Sequence, residues 1–170
     1  MFTLIIGGAG SGKSAYAEKL VQSLPGGRVY IATMQPFDDE CRARIKKHRA
    51  MRAGKGFATL ERYTDLAGLA VPRGSNVLLE DLSNLTANEL YSPRGGGGAA
   101  VLRGVEAVLR RSAHLTVVTN EVFSGGADYE GDTLSFLREL ADINIALADR
   151  ADTVAELVCG IPNVLKGEIP

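Results

Sequence analysis

Short apolar runs alternate with stretches of helical periodicity along this chain. Phe2 to Ile6 is a continuous apolar run that ends at Gly7, and Ser14 to Leu24 repeats its apolar positions at helical spacing before Pro25 closes the segment. Further strands are predicted at 29–32, 77–79, 115–119 and 154–158. Further helices are predicted at 38–53, after the strand at 77–79 as far as residue 91, at 99–111 and at 134–150. Short apolar strands that alternate with helices predict an α/β fold with a mostly parallel sheet covered on both faces.

The length and composition suit one globular domain that spans residues 1–170. The chain has 170 residues, of which 45% are apolar, and this is enough to bury a core. Its 19 Lys and Arg against 20 Asp and Glu leave a formal charge of −1, so no overall field favours nucleic acid or a membrane surface. An anionic partner must therefore be bound by a local cluster of charge.

Targeting and cysteine signals favour a cytoplasmic protein. The chain runs from Met1 into a short apolar segment without the basic flank and long apolar core of a signal peptide. No run approaches the roughly 18 apolar residues that a membrane span requires. Cys41 and Cys159 are far apart and fit neither a disulfide framework nor a zinc spacing. Both are expected to be ordinary buried or half-buried thiols in a reducing compartment.

One motif at the first strand-to-helix turn carries the chemistry. The segment Gly7-Gly8-Ala9-Gly10-Ser11-Gly12-Lys13-Ser14 matches the phosphate-binding loop Gly-x-x-x-x-Gly-Lys-Ser/Thr in its required context. Successive backbone N–H groups and the positive end of the helix would bind phosphate oxygens. Lys13 would bridge the β- and γ-phosphates, and Ser14 would hold Mg²⁺. The alternative, a glycine-rich turn that carries Lys and Ser by chance, does not explain that context. The fold class is therefore an α/β, P-loop NTPase-like three-layer sandwich.

Such an enzyme also needs an acid at the end of a neighbouring strand to position the metal. Glu80 and Asp81 directly follow the predicted strand at 77–79, and either could serve. The alternative is that the pair only caps the following helix. Asn120 and Glu121 form a second polar pair at a strand end, at the edge where ligands lie in open α/β sheets.

A strongly basic helix follows the second strand. Residues 41–60 contain no acid and carry seven Lys and Arg together with His48. Arg44, His48 and Arg52 share one helical face, which places an imidazole between two guanidinium groups spaced to bind phosphate. A neutral imidazole there could attack phosphorus and form a phosphoramidate. The alternative is a solvated charged face with a structural histidine, as we expect for His114.

These residues resemble one family, the bifunctional adenosylcobinamide kinase and adenosylcobinamide-phosphate guanylyltransferase of cobalamin biosynthesis. The resemblance runs almost from end to end of the chain. The phosphate loop alone is shared by many families, but its combination with the other matching blocks is not. The matching blocks are Gly7–Ser14, Tyr30–Gln35, Asp38–Glu40, Arg44–His48 with Arg52, Glu61, Val77–Glu80 with Asn88, Thr119–Val122, Asn144, Gly160–Pro162 and Lys166.

The resemblance implies two successive reactions at one nucleotide site. In the first, adenosylcobinamide takes the γ-phosphoryl group of ATP or GTP. In the second, GTP guanylylates a histidine, which the resemblance places at His48. Adenosylcobinamide phosphate then accepts GMP from this histidine to give adenosylcobinamide-GDP. Lys13 and Glu80 would join His48 as catalytic residues, with Ser14 and Glu80 at the metal. The assembly implied is a homotrimer with the nucleotide near a subunit boundary. The implied nucleotide contacts are Gly7, Gly8, Ala9, Gly10, Ser11, Gly12, Lys13, Ser14, Ala32, Thr33, Met34, Arg49, Ala50, Met51, Arg52, Glu61 and Glu80.

The chain departs from the family pattern mainly at 123–138. A Gly-x-Gly-Ile-Val-Pro stretch is replaced by residues 123–128, which lack the proline, and Arg-x-Phe-Arg-Asp is replaced by residues 134–138. Two other functions remain open: a P-loop kinase for another small alcohol without guanylyl transfer, and a GTP-binding regulatory protein without turnover. Outside these motifs, the four glycines Gly95 to Gly98 are expected to form a mobile link between two helices.

Overall fold

A computed structural model describes residues 1–124 and 129–170 of the protein. The strands are β1 (Phe2–Gly7), β2 (Arg28–Ala32), β3 (Phe57–Glu61), β4 (Asn76–Glu80), β5 (His114–Asn120), β6 (Thr153–Val158) and β7 (Ile161–Lys166). The helices are α1 (Lys13–Ser23), α2 (Asp39–Arg52), α3 (Leu82–Tyr91), α4 (Gly97–Leu109) and α5 (Gly131–Arg150), with a short 3-10 turn at Leu66–Gly68. In the described residues, no helix combines the length and the apolar character needed to cross a membrane.

The strands form a seven-stranded sheet in the order β3-β2-β4-β5-β1-β6-β7. Strands β1 to β6 pair in parallel, and β7 pairs antiparallel with β6. Parallel strands that are covered on both faces are buried at nearly every position, and β4 and β5 have this pattern. The α/β class predicted from the sequence is therefore confirmed.

Two apolar clusters lie on opposite faces of the sheet because successive side chains of a strand point in opposite directions. Leu4 and Leu79 belong to the larger cluster, with residues of α3, α4 and α5. Their neighbours Ile5 and Leu78 belong to the smaller cluster, which α1 covers with Ala17, Leu20 and Val21. Helix α1 thus lies on the face of the sheet opposite α3, α4 and α5.

The edge strands β3 and β7 are absent from the elements predicted from the sequence. β3 is half-buried or exposed at every position, and β7 is exposed at all positions except Pro162. Strands with so little buried surface show neither a continuous apolar run nor a clear alternation. Cys159 lies in the turn between β6 and β7 and is exposed, so the expectation of a buried or half-buried thiol is wrong there. Cys41 is half-buried, as expected, and both cysteines are free.

The glycine segment 95–98 is ordered, and the expectation of a mobile link is wrong. The buried carboxylate of Glu89 accepts a hydrogen bond from the Gly96 N–H at 2.8 Å. Glu139 of α5 accepts one from the Gly98 N–H at 2.9 Å, and α4 begins at Gly97. A Cβ at Gly95 would lie 2.0 Å from the Glu89 carbonyl oxygen, so glycine serves here for close packing.

Candidate active site

A cavity of about 810 Å³ lies at the carboxyl edge of the sheet. The loop between β1 and α1, one side of α2, and the ends of β2, β4 and β5 form its walls. This is the edge at which open α/β sheets bind ligands. Most of the residues proposed to contact nucleotide line it, whereas Gly7, Gly8, Thr33 and Ala50 do not.

Glycine conformations and internal hydrogen bonds hold the loop between β1 and α1 in its shape. Gly10 and Gly12 have φ values of 72° and 88°, which favour glycine. The Lys13 ammonium donates to the Gly8 carbonyl at 2.9 Å, and the Gly160 N–H donates to the Ser11 carbonyl at 2.8 Å. Lys13 is buried, and burial lowers the pKa of its ammonium. The loop therefore presents N–H groups and one desolvated ammonium at the start of a helix, which suits a phosphate chain.

The two acids that follow β4 have different surroundings. Glu80 faces the phosphate loop: its Oε1 accepts a hydrogen bond from the Ser14 hydroxyl. Asp81 caps α3, because its Oδ1 accepts the Asn84 N–H at 2.7 Å. The helix-capping alternative thus describes Asp81, although Asp81 also lines the cavity. Burial raises the pKa of Glu80 to about 7, since a buried carboxylate loses its hydration.

Ser14 and Glu80 suit a Mg²⁺ ion. Their hydroxyl and carboxylate oxygens are adjacent, and Glu80 Oε2 is buried without a hydrogen-bond partner among the described residues. Oxygen atoms of this kind are the ligands that Mg²⁺ prefers. Within residues 1–124 and 129–170, no group of three His, Cys, Asp or Glu side chains could hold a metal ion. The residues present therefore fit an ion bound together with phosphate and water, as is usual for Mg²⁺.

Helix α2 brings His48 to the same cavity. The His48 Nδ1 atom lies 3.9 Å from Glu80 Oε1, and the side chain is 25% exposed. Burial is the main cause that lowers the pKa of His48, and the nearby Arg52 and Arg44 lower it further. The imidazole is therefore neutral near pH 7, which is the form that can act as a nucleophile.

The two arginines that share a helical face with His48 differ in their surroundings. The Arg52 guanidinium is buried and lies 3.7 Å from the centroid of the Tyr30 ring, in cation–π geometry. Arg44 is exposed and lines the cavity. Arg52 also lines the cavity while it stacks on Tyr30, and the binding of phosphate by both arginines stays a prediction.

Sequence reasoning did not identify Tyr30, Tyr63 and Asn84 as cavity residues. Tyr63 follows β3, and its hydroxyl donates to the Glu61 carboxylate at 3.0 Å. Arg49 donates to the same carboxylate, and the hydrogen bond from Arg49 is the main cause of the lowered pKa of Glu61. Because β3 has only a weak strand pattern, the sequence did not predict that Glu61 and Tyr63 lie together at the cavity. A sequence signal for Asn84 did exist, since it stands three residues after the cap Asp81.

The second polar pair at a strand end is also divided. Asn120 lines the cavity and donates to the Ser83 hydroxyl at 3.0 Å. The Glu121 carboxylate instead accepts N–H groups of Phe123 and Ser124 at 2.9 and 3.1 Å. Residues 125–128, within the segment that departs from the family pattern, lie outside the described residues. The pair therefore contributes one side chain to the cavity.

Comparison with known proteins gives one consistent result. The chain matches the family described as cobinamide kinase / cobinamide phosphate guanyltransferase over residues 3–165. It is 34% identical to the bifunctional adenosylcobalamin biosynthesis protein CobU of Salmonella typhimurium, over 95% of this chain and 97% of that protein. It is 33% identical to the bifunctional adenosylcobalamin biosynthesis protein CobP of Pseudomonas aeruginosa, over 99% of both chains.

The fold also resembles a solved structure with little sequence similarity. An ATPase from the type III secretion system of pathogenic bacteria superposes with a TM-score of 0.54 at 14% identity. The match covers 91% of this chain and 50% of that one, so this chain spans about half the length of the ATPase. At that identity the likeness supports the P-loop NTPase-like fold alone.

Proposed function

The chain belongs to the cobinamide kinase / cobinamide phosphate guanyltransferase family, and from this premise we propose a bifunctional enzyme of cobalamin biosynthesis in one domain. It phosphorylates adenosylcobinamide with ATP or GTP. It then transfers GMP from GTP to adenosylcobinamide phosphate, giving adenosylcobinamide-GDP. One observation carries the proposal: the phosphate loop and His48 line the same cavity. A single bound nucleotide can therefore meet both groups.

In the phosphoryl transfer, the substrate hydroxyl oxygen bonds to the γ-phosphorus and the bond to the bridging oxygen breaks. The hydroxyl proton is released, and ADP or GDP leaves with the electron pair. The loop N–H groups and Lys13 stabilise the negative charge of the phosphates in this step. Ser14 and Glu80 would hold Mg²⁺, which when bound neutralises phosphate charge.

In the guanylyl transfer, a ring nitrogen of His48 bonds to the α-phosphorus of GTP, and pyrophosphate leaves with the electron pair. A phosphate oxygen of adenosylcobinamide phosphate then bonds to the same phosphorus, and the nitrogen–phosphorus bond breaks. The lowered pKa of His48 keeps the ring neutral for the first attack. Arg44 and the lysines of α2 line the cavity beside it and offset the charge that builds on the phosphates.

A homotrimer in the cytoplasm completes the proposal. The family resemblance carries it, and the edge strand supports it: Ile161, Val164 and Leu165 of β7 are 70%, 43% and 60% exposed. An apolar edge of this kind is suited to cover by a neighbouring subunit. The two free cysteines agree with a reducing compartment. Light scattering coupled to size exclusion tests the assembly, and a monomer at micromolar concentration would contradict it.

Incubation with α-labelled GTP and Mg²⁺, followed by denaturation, tests the function. We expect acid-labile, alkali-stable label on the wild-type protein and none on His48→Ala. Because His48 takes no part in phosphoryl transfer, the variant should still phosphorylate cobinamide with γ-labelled ATP, within about tenfold of the wild type. Glu40→Gln is the matched control, since Glu40 is exposed on the same helix and lies outside the cavity.

The same assay separates the other two functions. A kinase for a different small alcohol would phosphorylate its substrate while neither protein takes up label from α-labelled GTP. A regulatory protein would bind GTP without releasing either pyrophosphate or GDP. Either result overturns the proposed guanylyl transfer.

A further inference from the structure

Two neighbouring side chains in the cavity, His48 and Glu80, each have a buried polar atom without a hydrogen-bond partner among the described residues. His48 Nδ1 has no hydrogen-bond partner among the described residues, and it lies 3.9 Å from Glu80 Oε1. Glu80 Oε2 is also buried and has no partner in the described part of the chain. A buried polar atom that stays unpaired is costly. A shift of about 1 Å would bring the ring nitrogen and the carboxylate to hydrogen-bonding distance.

The direction of that hydrogen bond follows from the ionised Glu80 carboxylate, which has no proton to donate. The Ser14 hydroxyl donates to Glu80 Oε1, so this oxygen already serves as an acceptor and retains a second lone pair. The imidazole must then supply the proton from Nδ1. A neutral imidazole carries a single ring proton. With that proton on Nδ1, the lone pair available for reaction is on Nε2.

The other charged groups around His48 cannot replace Glu80. Arg44 and Arg52 act on the ring electrostatically, but guanidinium groups have no acceptor atoms. Glu18 is held in an ion pair with Lys55, and Asp81 caps α3. Glu80 is the carboxylate that lies within 4 Å of the ring in the described residues.

We propose that Glu80 is a positioning residue for guanylyl transfer, which fixes the His48 ring with its proton on Nδ1 so that GMP becomes bonded to Nε2. The inference rests on the proposed function and names the reacting atom. The Nε2 lone pair forms the bond to the α-phosphorus, the bond from phosphorus to the bridging oxygen breaks, and pyrophosphate takes that electron pair. The ring keeps its Nδ1 proton and gains a positive charge, which the carboxylate faces. Glu80 thus serves the phosphate loop in one reaction and the histidine in the other.

The position of the bond is the first test. The wild-type protein is guanylylated with GTP and Mg²⁺, and the linkage is assigned by ³¹P NMR of the intact protein and by mass spectrometry of its peptides. A bond at Nε2 is expected, and a bond at Nδ1 overturns the inference while leaving the proposed function standing. If no GMP becomes bonded to His48 at all, the proposed function itself fails. The two failures are therefore distinguishable.

The tautomer of the free protein is the second test and needs neither metal nor nucleotide. The chain has two histidines, so protein labelled with ¹⁵N in histidine gives two sets of ring signals. His114 is a built-in reference, because it is buried beside Thr3 with Nε2 3.0 Å from the hydroxyl oxygen. We expect the Nδ1–H tautomer at His48 in the wild type at pH 8, at which Glu80 is ionised. A wild-type ring protonated on Nε2 overturns the inference.

Two variants separate positioning from general damage to the site. Glu80→Gln should shift the ratio of Nδ1–H to Nε2–H at His48 by about tenfold, since an amide can present a donor to Nδ1. Ser14→Ala removes the other partner of Glu80 and should leave the tautomer of His48 unchanged. An unchanged tautomer in Glu80→Gln, or an equal shift in both variants, overturns the positioning role. In both variants the His114 signals should stay in place, which shows that the fold is intact.

Discussion

Helices α1 and α2 each follow a strand and a loop, and both face the candidate active site, yet they are attached to the protein in different ways. Helix α1 has 11 residues and buries five of them: Lys13, Ala17, Glu18, Leu20 and Val21. Helix α2 has 14 residues, all of them described, and buries only Arg52. Apolar burial against the sheet therefore sets the position of α1.

Charged groups near the end of α2 set its position instead. Arg52 stacks on Tyr30, Arg49 pairs with Glu61, and Lys55 of the following turn pairs with the buried Glu18 of α1. The Arg49–Glu61 pair is exposed and contributes little to stability, whereas the Lys55–Glu18 pair joins a half-buried ammonium to a buried carboxylate. The phosphate-binding half of the site is thus part of the folded core, and the histidine half is added to it by a polar helix.

The largest expected effect follows from Lys13, which belongs to the helix that is held by the core. Lys13→Ala should lower both phosphoryl and guanylyl transfer by about 10³-fold, since both reactions use phosphates in the same loop. His48→Ala, on α2, should remove only guanylyl transfer. Steady-state assays of both reactions measure the contrast, with Lys19→Ala as the control because Lys19 is exposed on α1. Phosphorylation of cobinamide at the wild-type rate by Lys13→Ala would refute the role of the loop.

A matched pair of truncations sharpens the comparison of the two helices. Leu20→Ala removes a side chain that is 6% exposed in the cluster under α1, and should lower the free energy of unfolding by about 2–5 kcal/mol. Ile45→Ala removes a half-buried side chain on α2, and should lower it by about 1 kcal/mol or less. Urea unfolding followed by circular dichroism measures both. Equal losses would show that α2 is attached as firmly as α1.

The third expected effect concerns Glu80, which stands between the two helices. Burial raises the pKa of Glu80 from 4.5 to about 7, so between these values the folded protein holds a proton that the unfolded chain releases. The stability contributed by this proton is present below pH 4.5 and is lost as the pH rises to about 7. By linkage this loss amounts to about 2–3 kcal/mol.

Glu80→Gln cannot titrate and should lack that part of the pH dependence. Urea unfolding at pH 5 and pH 7 in the absence of Mg²⁺ tests this, with both proteins carrying His48→Ala so that the neighbouring imidazole does not titrate. The Glu80→Gln protein should gain stability relative to the protein that keeps Glu80 as the pH rises. A constant difference between the two proteins at both pH values would contradict the raised pKa.

Much of the fold was predictable, because its central strands and its phosphate loop depend on local pattern. Strands that are buried on both faces are continuously apolar, and the loop needs glycines at fixed positions before a helix. The edge strands β3 and β7 were not predictable, since they bury little and carry no periodic signal. The glycine segment 95–98 was misjudged because its order comes from Glu89 and Glu139, which are distant in the sequence or on another helix.

The candidate site was predictable as a set of residues but not as an arrangement. The residue pattern left Glu80 and Asp81 equivalent, and the family resemblance favoured Glu80. Only the folded chain directs one to Ser14 and the other to the first turn of α3. The helical face shared by Arg44, His48 and Arg52 gave no sign that Arg52 would be stacked on Tyr30. Tyr63 follows β3 and Asn84 lies in α3, and the sequence does not show that these two elements border the cavity.

By itself the sequence determined the class of chemistry, because a phosphate loop acts through backbone N–H groups and one lysine that are contiguous in the chain. It also determined that a basic helix carrying one histidine follows the second strand. Only the tertiary structure decided that this histidine lies beside Glu80, with Nδ1 toward the carboxylate. Such a contact joins residues 32 positions apart on different elements, and its geometry depends on how the strands are ordered in the sheet rather than on any local pattern.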